Sequence, residues 1–468
     1  MKRRNFIKSS ASAAAIFSVI PSTVLGKTFG NIAPIDKVNL ACCGIGHRGG
    51  SVTYNLFETG LANFVAFCDV DMGAPQTLRI LEKYPDVPLF QNFREMFDKM
   101  GGKIDAVSVA TPDFSHFPIT MLAMSMGIHV YVEKPMGRTF NEVELMIKGA
   151  EKYKVVTQMG NQGHSGAGYF QFKAWKDAGI IKDITAITAN HNGDRRWHGF
   201  DPKMTKFSEV EKMPETLDWD TWLATANQHD YNKDFIDGQW RCWYDFGMGA
   251  LGDWGAHIID NAHQFLELGL PYEIDPVKLE GHNPFFFPMA STLTFKFPKR
   301  GDMPPVQLTW YDGIGNFPPK PEGYGEIPIN KKAPQPTDGS EPPRKFPTGK
   351  ILYGKNLTFR GGSKESLLEI IPKERAIEME ASLPQVPKTT SDHYANFLLA
   401  CMGKEKSRSS FDVAGPLSQV FNLGVLAQRL NTKLSFDRET KQITNNPLAN
   451  MLLTGAQPRR GWEEYYKL

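Results

Sequence analysis

No acidic residue precedes Asp36, cysteines number only five, and 53 basic side chains stand against 51 acidic ones for a net charge of +2. Each scarcity excludes something. A balance this close to neutral lacks the basic excess that nucleic acid demands. The cysteines (Cys42, Cys43, Cys68, Cys242, Cys401) are odd in number and scattered, and two adjoin inside an apolar strand pattern. They read as buried thiols, with a single bridge left open if the protein is exported, and no spacing among them suits zinc. The apolar stretch Ala11 to Ile20 is interrupted by Ser12 and Ser18 and stops at Pro21. A membrane-spanning helix needs about 20 apolar residues, so stable insertion is not expected. What is abundant is length: 468 residues, 41% hydrophobic, suffice for two domains with their own cores.

The acid-free start has a pattern of its own. Arg3 and Arg4 precede Phe6, Ile7 and Lys8, ahead of the short apolar stretch, and small residues follow at Val24 to Gly26. This resembles a twin-arginine export signal, whose pathway carries folded proteins. Residues 1–26 are therefore expected to be removed, which takes the charge to −2 and the protein to the periplasm; a tethered form stays open.

From Val38 the chain reads VNLACCGIGHRGG, an apolar run followed by Gly44-x-Gly46-x-x-Gly49 and a helix-like segment that includes His47 and Arg48. A second apolar run ends in Asp69, about 20 residues on. Gly44 permits the turn, Gly46 lets backbone approach a pyrophosphate, and Gly49 lets helix lie on strand; the helix N-terminus faces the phosphates. Asp69 suits ribose hydroxyls and repels a ribose phosphate, which favours NAD over NADP. Alternation continues through IDAVSVATPDFSH and GIHVYVEKPMG, predicting a parallel sheet whose strand ends carry Thr111, Pro112, His116, Glu133, Lys134 and Pro135. Beyond it, DITAITANH, STLTFKF, VQLTWY and KNLTFRG alternate as half-buried strands do. A helical tail is expected over Asp392 to Leu430, and a long proline-rich loop or lid, outside any core, over residues 316–349.

GIGHRG, ATPDFSH, VEKPMG and GDWGAHIID, in this order, resemble the Gfo/Idh/MocA family of nicotinamide-dependent sugar and polyol oxidoreductases. The resemblance implies α/β plus α+β architecture: a Rossmann domain over 36–159, a substrate and oligomerisation domain on an open, mainly antiparallel sheet over 160–440, and a tail over 441–468. It implies a carbohydrate substrate, NAD, and a dimer or tetramer. It also implies that Lys134, Asp253 and His257 form the catalytic set, and that residues beside the nicotinamide follow the last strand of the cofactor domain, where Asn161 is a candidate for cofactor contact and His164 for substrate contact.

The residue chemistry agrees. Asp253 and His257 are four apart and share a helical face; His257 is the natural base, Asp253 can orient it or hold a second hydroxyl, and the Lys134 ammonium can stabilise developing negative charge. A surface lysine and a helix with an acidic N-cap are the ordinary alternative. Trp240 and Trp243 suit the apolar face of a pyranose, or are plain core, and Arg241 suits its hydroxyls or a carboxylate; Asn190, His191 and Arg195 are weaker sugar candidates. His257, Asp260 and His263 raise a metal reading, against which their drift around the helix counts, with His263 instead packing or capping. Outside the cytoplasm free NAD is scarce, so folding before export implies tightly bound NAD. The expected function is interconversion of a sugar or glycoside hydroxyl with its ketone, with carbon 3 as a candidate position. The alternatives are a redox-neutral NAD-dependent glycosidase, whose members resemble this chain but lack the EKP lysine, and a non-catalytic carbohydrate-binding protein.

Overall fold

The computed structural model describes residues 36–193, 201–236, 238–329, 344–388 and 391–468. Its first sheet is parallel throughout. Strands β1 (Val38–Cys43), β2 (Ala62–Cys68), β3 (Leu89–Phe90), β4 (Ala106–Val109), β5 (His129–Val132) and β6 (Thr157–Met159) lie in the order β3-β2-β1-β4-β5-β6. The order reverses between β1 and β4, the point at which such sheets open a crevice for ligands. Helices α1 (His47–Glu58), α2 (Pro75–Lys83), α3 (Phe93–Met100), α4 (His116–Ser125) and α5 (Phe140–Tyr153) cross between the strands. The β1–α1 turn needs its glycines. Gly44 has φ +75°, and a β-carbon on Gly49 would sit 1.8 Å from the Gly44 carbonyl oxygen.

The second sheet has nine strands: β7 (Ile184–His191), β8 (Glu273–Glu280), β9 (Ala290–Phe297), β10 (Val306–Asp312), β11 (Gly349–Gly354), β12 (Thr358–Gly361), β13 (Leu368–Ile371), β14 (Leu434–Asp437) and β15 (Gln442–Ile443). Their order is β13-β12-β11-β7-β10-β9-β8-β14-β15, antiparallel except where β7 meets β10. Around it lie α6 (Ala167–Asp177), α7 (Gly249–Ile258), α8 (Asp260–Phe265), α9 (His393–Cys401) and α10 (Phe411–Leu430).

The expected tail over Asp392 to Leu430 is two helices with separate duties. Helix α9 buries Tyr394 and Phe397 against Tyr131 of β5, in the core of the first domain. Helix α10 packs on both α5 and α7, and its Asn422 amide donates to the carbonyls of Gly137 and Arg138 at 3.2 and 2.9 Å, tying down the segment after Lys134. The proline-rich segment departs from expectation as well: Tyr324 and Phe346 are buried with Ile351 and Ile371 in a satellite cluster, because the arms of the loop fold onto the sheet edge. Residues 330–343 of that loop, the N-terminal signal and Arg195 lie outside the described residues. All five cysteines are free thiols, four of them buried. Among the described residues no helix is long and apolar enough to cross a membrane.

Candidate active site

The carboxyl ends of β1, β2 and β4 border a cleft of about 480 Å³. Gly44, Gly46, Asp69 and Thr111 line one side, and Trp222 and Trp240 from the second domain line the other. Helix α1 opens at this cleft with Gly46 in an extended conformation, no side-chain cap and no acid in its first turn. The positive dipole end of the helix thus faces the cleft, a setting that favours an anion. Asp69 Oδ2 accepts from the N–H groups of Ile45 and Gly46 at 2.9 and 3.2 Å, so the carboxylate also shapes the turn. Burial raises its pKa, and those N–H bonds oppose the rise. Thr111 Oγ1 and Glu133 Oε2 are buried with no protein partner among the described residues, polar atoms of the kind a ligand satisfies. A dinucleotide fits this cradle: a glycine turn closed to side chains, an uncapped helix start, an acid at the end of β2 and orphaned acceptors deeper in.

The second domain closes the cleft. Residues 216–218 pair with the end of β2: Asp71 and Leu217 form a β-bridge, Asp218 N–H donates to the Val70 carbonyl at 2.9 Å, and Thr216 Oγ1 donates to Asp71 Oδ1 at 2.8 Å. Nothing in the glycine motif signals this strap, and a single sequence offers no marker for it.

Where the two domains meet, Lys134 Nζ lies 2.5 Å from Asp253 Oδ1, with Arg241 Nε 3.5 Å from the same oxygen. One turn along α7, His257 is buried and its Nδ1 has no partner among the described residues. Burial pulls the Lys134 ammonium below its ordinary pKa, the Asp253 charge opposing it. Burial and then the Lys134 charge hold His257 well below the ordinary imidazole value, so its ring is neutral. Lys134 is followed by a cis peptide to Pro135. Glu133 Oε1 accepts from Arg48 and Gln162, each at 3.0 Å, which joins the start of α1 to the end of β5.

Other residues singled out by sequence have different surroundings. His116 faces the Pro135 and Thr111 carbonyls with its two ring nitrogens at 2.9 and 2.8 Å, and burial lowers its pKa to about 4. It ties two walls of the site together instead of reaching the cleft. Asn161 donates to Asp260 Oδ2 at 3.2 Å and accepts from Ser409, while His164 Nδ1 lies 3.2 Å from the same Asp260 oxygen. Asn190 donates to Asn192 and to the Pro347 carbonyl. Trp240, with the Arg241 guanidinium 3.9 Å over its ring, lies on the cofactor cleft and not on a separate sugar surface. Trp243 is core: fully buried, its indole donates to the Asp234 carbonyl and packs on Phe207 and Phe235, so it presents no face to a sugar. His263 Nε2 bonds the Gly269 carbonyl at 2.9 Å, and among the described residues no three potential ligands gather for a metal. Sequence reading missed Trp254 and Lys364, which border His257; Trp254 stands inside the GDWGAH motif itself.

A parallel sheet with a glycine-turn dinucleotide cradle, facing a lysine, a carboxylate and a neutral imidazole across a domain junction, defines the class of nicotinamide-dependent oxidoreductases. Two family models match: an oxidoreductase family model with NAD-binding Rossmann fold over residues 38–161, and its C-terminal alpha/beta domain over residues 175–284. The chain belongs to the Gfo/Idh/MocA oxidoreductase family and binds NAD. It is similar to glycosyl hydrolase family 109 protein 2 of Shewanella sp. (strain ANA-3), 26% identical over 169 residues, covering 32% of this chain and 37% of that protein. It is also similar to inositol 2-dehydrogenase 1 of Saccharopolyspora erythraea, 27% identical over 159 residues, covering 34% and 46%. The matched part thus spans under half the length of either relative. In fold it matches the WlbA dehydrogenase of Chromobacterium violaceum, solved with NADH and UDP-GlcNAcA, with TM-score 0.55 at 14% identity over 87% of this chain and 98% of that one.

Proposed function

We propose that this protein is an exported oxidoreductase that interconverts a hydroxyl of a sugar or glycoside with the corresponding ketone, using NAD that stays bound between turnovers. The observation that carries it is the meeting of Lys134, Asp253 and His257, with Lys134 Nζ at 2.5 Å from Asp253. Bound NAD supplies the hydride acceptor for oxidation and the donor for the reverse. Gly46, the α1 N-terminus and Asp69 would hold its pyrophosphate and ribose. His257, neutral and with Nδ1 unpaired among the described residues, takes the hydroxyl proton; Lys134 stabilises the alkoxide character that develops on that oxygen; Asp253 keeps the ammonium in place. Loss of that proton and of a hydride from carbon leaves the ketone. The strap at residues 216–218 and the Trp240–Arg241 pair cover the cleft, which supports retention of cofactor acquired before a twin-arginine pathway exports the folded complex.

Native mass spectrometry of the purified protein, incubated with a panel of glycosides, tests this reading. NAD at near-stoichiometric occupancy with a product two daltons lighter is expected; protein without NAD, or no change in nicotinamide absorbance with any sugar or ketosugar, overturns it. The family 109 relatives favour a second reading, a redox-neutral glycosidase in which hydride leaves and returns around elimination. Lys134 supports net oxidation, because its ammonium suits the alkoxide that precedes hydride loss. Release of an aryl leaving group with no added carbonyl acceptor is the result that favours the glycosidase.

A further inference from the structure

The loop of residues 361–366, GGSKES, crosses beside the candidate active site, and its placement is enforced from two sides. Lys364 N–H donates to the His257 carbonyl at 2.7 Å. A β-carbon on Gly163 would stand 2.8 Å from the Lys364 main chain, so only glycine there admits the loop. Lys364 itself has φ +56°, in the left-handed region where glycine is relaxed and lysine is strained. Two glycines stand within the same loop, yet the strained position carries a long cationic side chain.

The Lys364 ammonium is exposed and 5.9 Å over the Trp254 ring, and no ion pair engages it among the described residues. The Trp254 ring is also stacked on His191 at 4.2 Å and 8°. Trp254 Nε1 is buried with no partner among the described residues, and its ring meets His257 edge to face at 5.9 Å. The neighbouring cations are engaged: Lys134 by Asp253, Arg48 by Glu133, Arg241 by Asp253 and Trp240. Lys364 is exposed and has no such carboxylate among the described residues, within electrostatic reach of the candidate base, whereas Lys350 is buried with its ammonium 3.5 Å from the Gly362 carbonyl.

We propose that Lys364 is a specificity residue that binds an anionic substituent of the carbohydrate substrate, a carboxylate or a sulfate ester, and holds it over Trp254 beside His257. This rests on the carbohydrate reading of the site and narrows it to acidic sugars. An unbalanced ammonium opposes protonation of His257; an anion seated on it removes that opposition, so a charged substrate raises the basicity of the imidazole as it binds.

Calorimetry on the NAD-loaded protein with a methyl hexuronide, a sulfated methyl hexoside and the neutral methyl hexoside tests this without requiring turnover. At least one anionic glycoside is expected to bind about tenfold or more tightly than the neutral one. Uronate preference identifies the carboxylate and sulfate preference the ester. Lys364→Gln should bring the three Kd values together, and Lys364→Gly should do the same while keeping or raising Tm, because it relieves the left-handed strain. Equal wild-type affinity for all three, no binding of any, or a uniform weakening in Lys364→Gln overturns the proposal. Anion preference without oxidation instead overturns the oxidoreductase reading and leaves this one standing.

Discussion

Lys134 and Asp253 are 119 residues apart in sequence and share a buried ion pair. Such a pair contributes little net stability, but an isolated buried charge is costly, so each partner fixes the other where chemistry needs it. On the proposed mechanism, burial of His257 and Lys134, which the Asp253 charge opposes, sets the pH behaviour. The base form of His257 is neutral, and its pKa lies well below the ordinary 6.5, so activity is lost only as pH falls through that depressed value. Lys134 must stay protonated, and its pKa lies below the ordinary 10.5, so the alkaline limb begins early. The pH profile of kcat/KM should therefore show both limbs displaced to acid, with no inflection at 6.5. His257→Gln should lower kcat by about 10²- to 10⁴-fold, and Lys134→Met by about 10²- to 10³-fold, with NAD occupancy retained in steady-state assays on the purified holoprotein.

At the scale of elements, the β1–α1 turn separates two glycines by what surrounds them. Gly49→Ala places a methyl 1.8 Å from the Gly44 carbonyl, a backbone clash that rigid strand and helix cannot relieve. It should cost about 3 kcal/mol or more, read by urea unfolding. Gly46 has φ −80°, and an added methyl would meet Thr77 Oγ1 at 3.3 Å, with Gln76 Cβ and Asp69 Oδ2 at ordinary contact distances of 3.7 and 3.9 Å. Gly46→Ala should unfold within about 1 kcal/mol of the parent yet bind NAD about tenfold more weakly by calorimetry, because the methyl stands where the pyrophosphate approaches. The three-glycine spacing made this turn legible, since it records local geometry. The strap over the cleft was illegible, because a β-bridge between Asp71 and Leu217 depends on contacts 146 residues apart that leave no periodic trace.

Across the whole molecule, the chain returns at its end to the domain with which it began. Trp462 is buried beneath the Arg94 guanidinium, 3.6 Å from its ring, while Arg94 Nε donates to Tyr465 and Tyr466 donates to Glu142 at 2.8 Å. Trp462→Ala should lower unfolding stability by about 3 to 5 kcal/mol in urea, with the second sheet and the Lys134–Asp253 pair untouched. A loss below 1 kcal/mol would show that the tail is an ornament and not a fastening. Residues 441–468 read in sequence as a tail only, because a few aromatics near a terminus do not state what they pack against.

The sequence alone determined the parallel sheet and the glycine turn, which are written in local periodicity and a short motif; the mainly antiparallel second sheet and the choice of Lys134, Asp253 and His257 came from the family resemblance that the ordered motifs carry. Tertiary structure decided the rest: that Trp243 is core, that His116 and Asn161 brace the site, that Trp240 and Arg241 face the cofactor cleft, and that Lys364 stands beside His257. The reason is physical. Burial and partnership depend on which distant segments close over a side chain, and the 106 residues between His257 and Lys364 give no local sign that the two will meet.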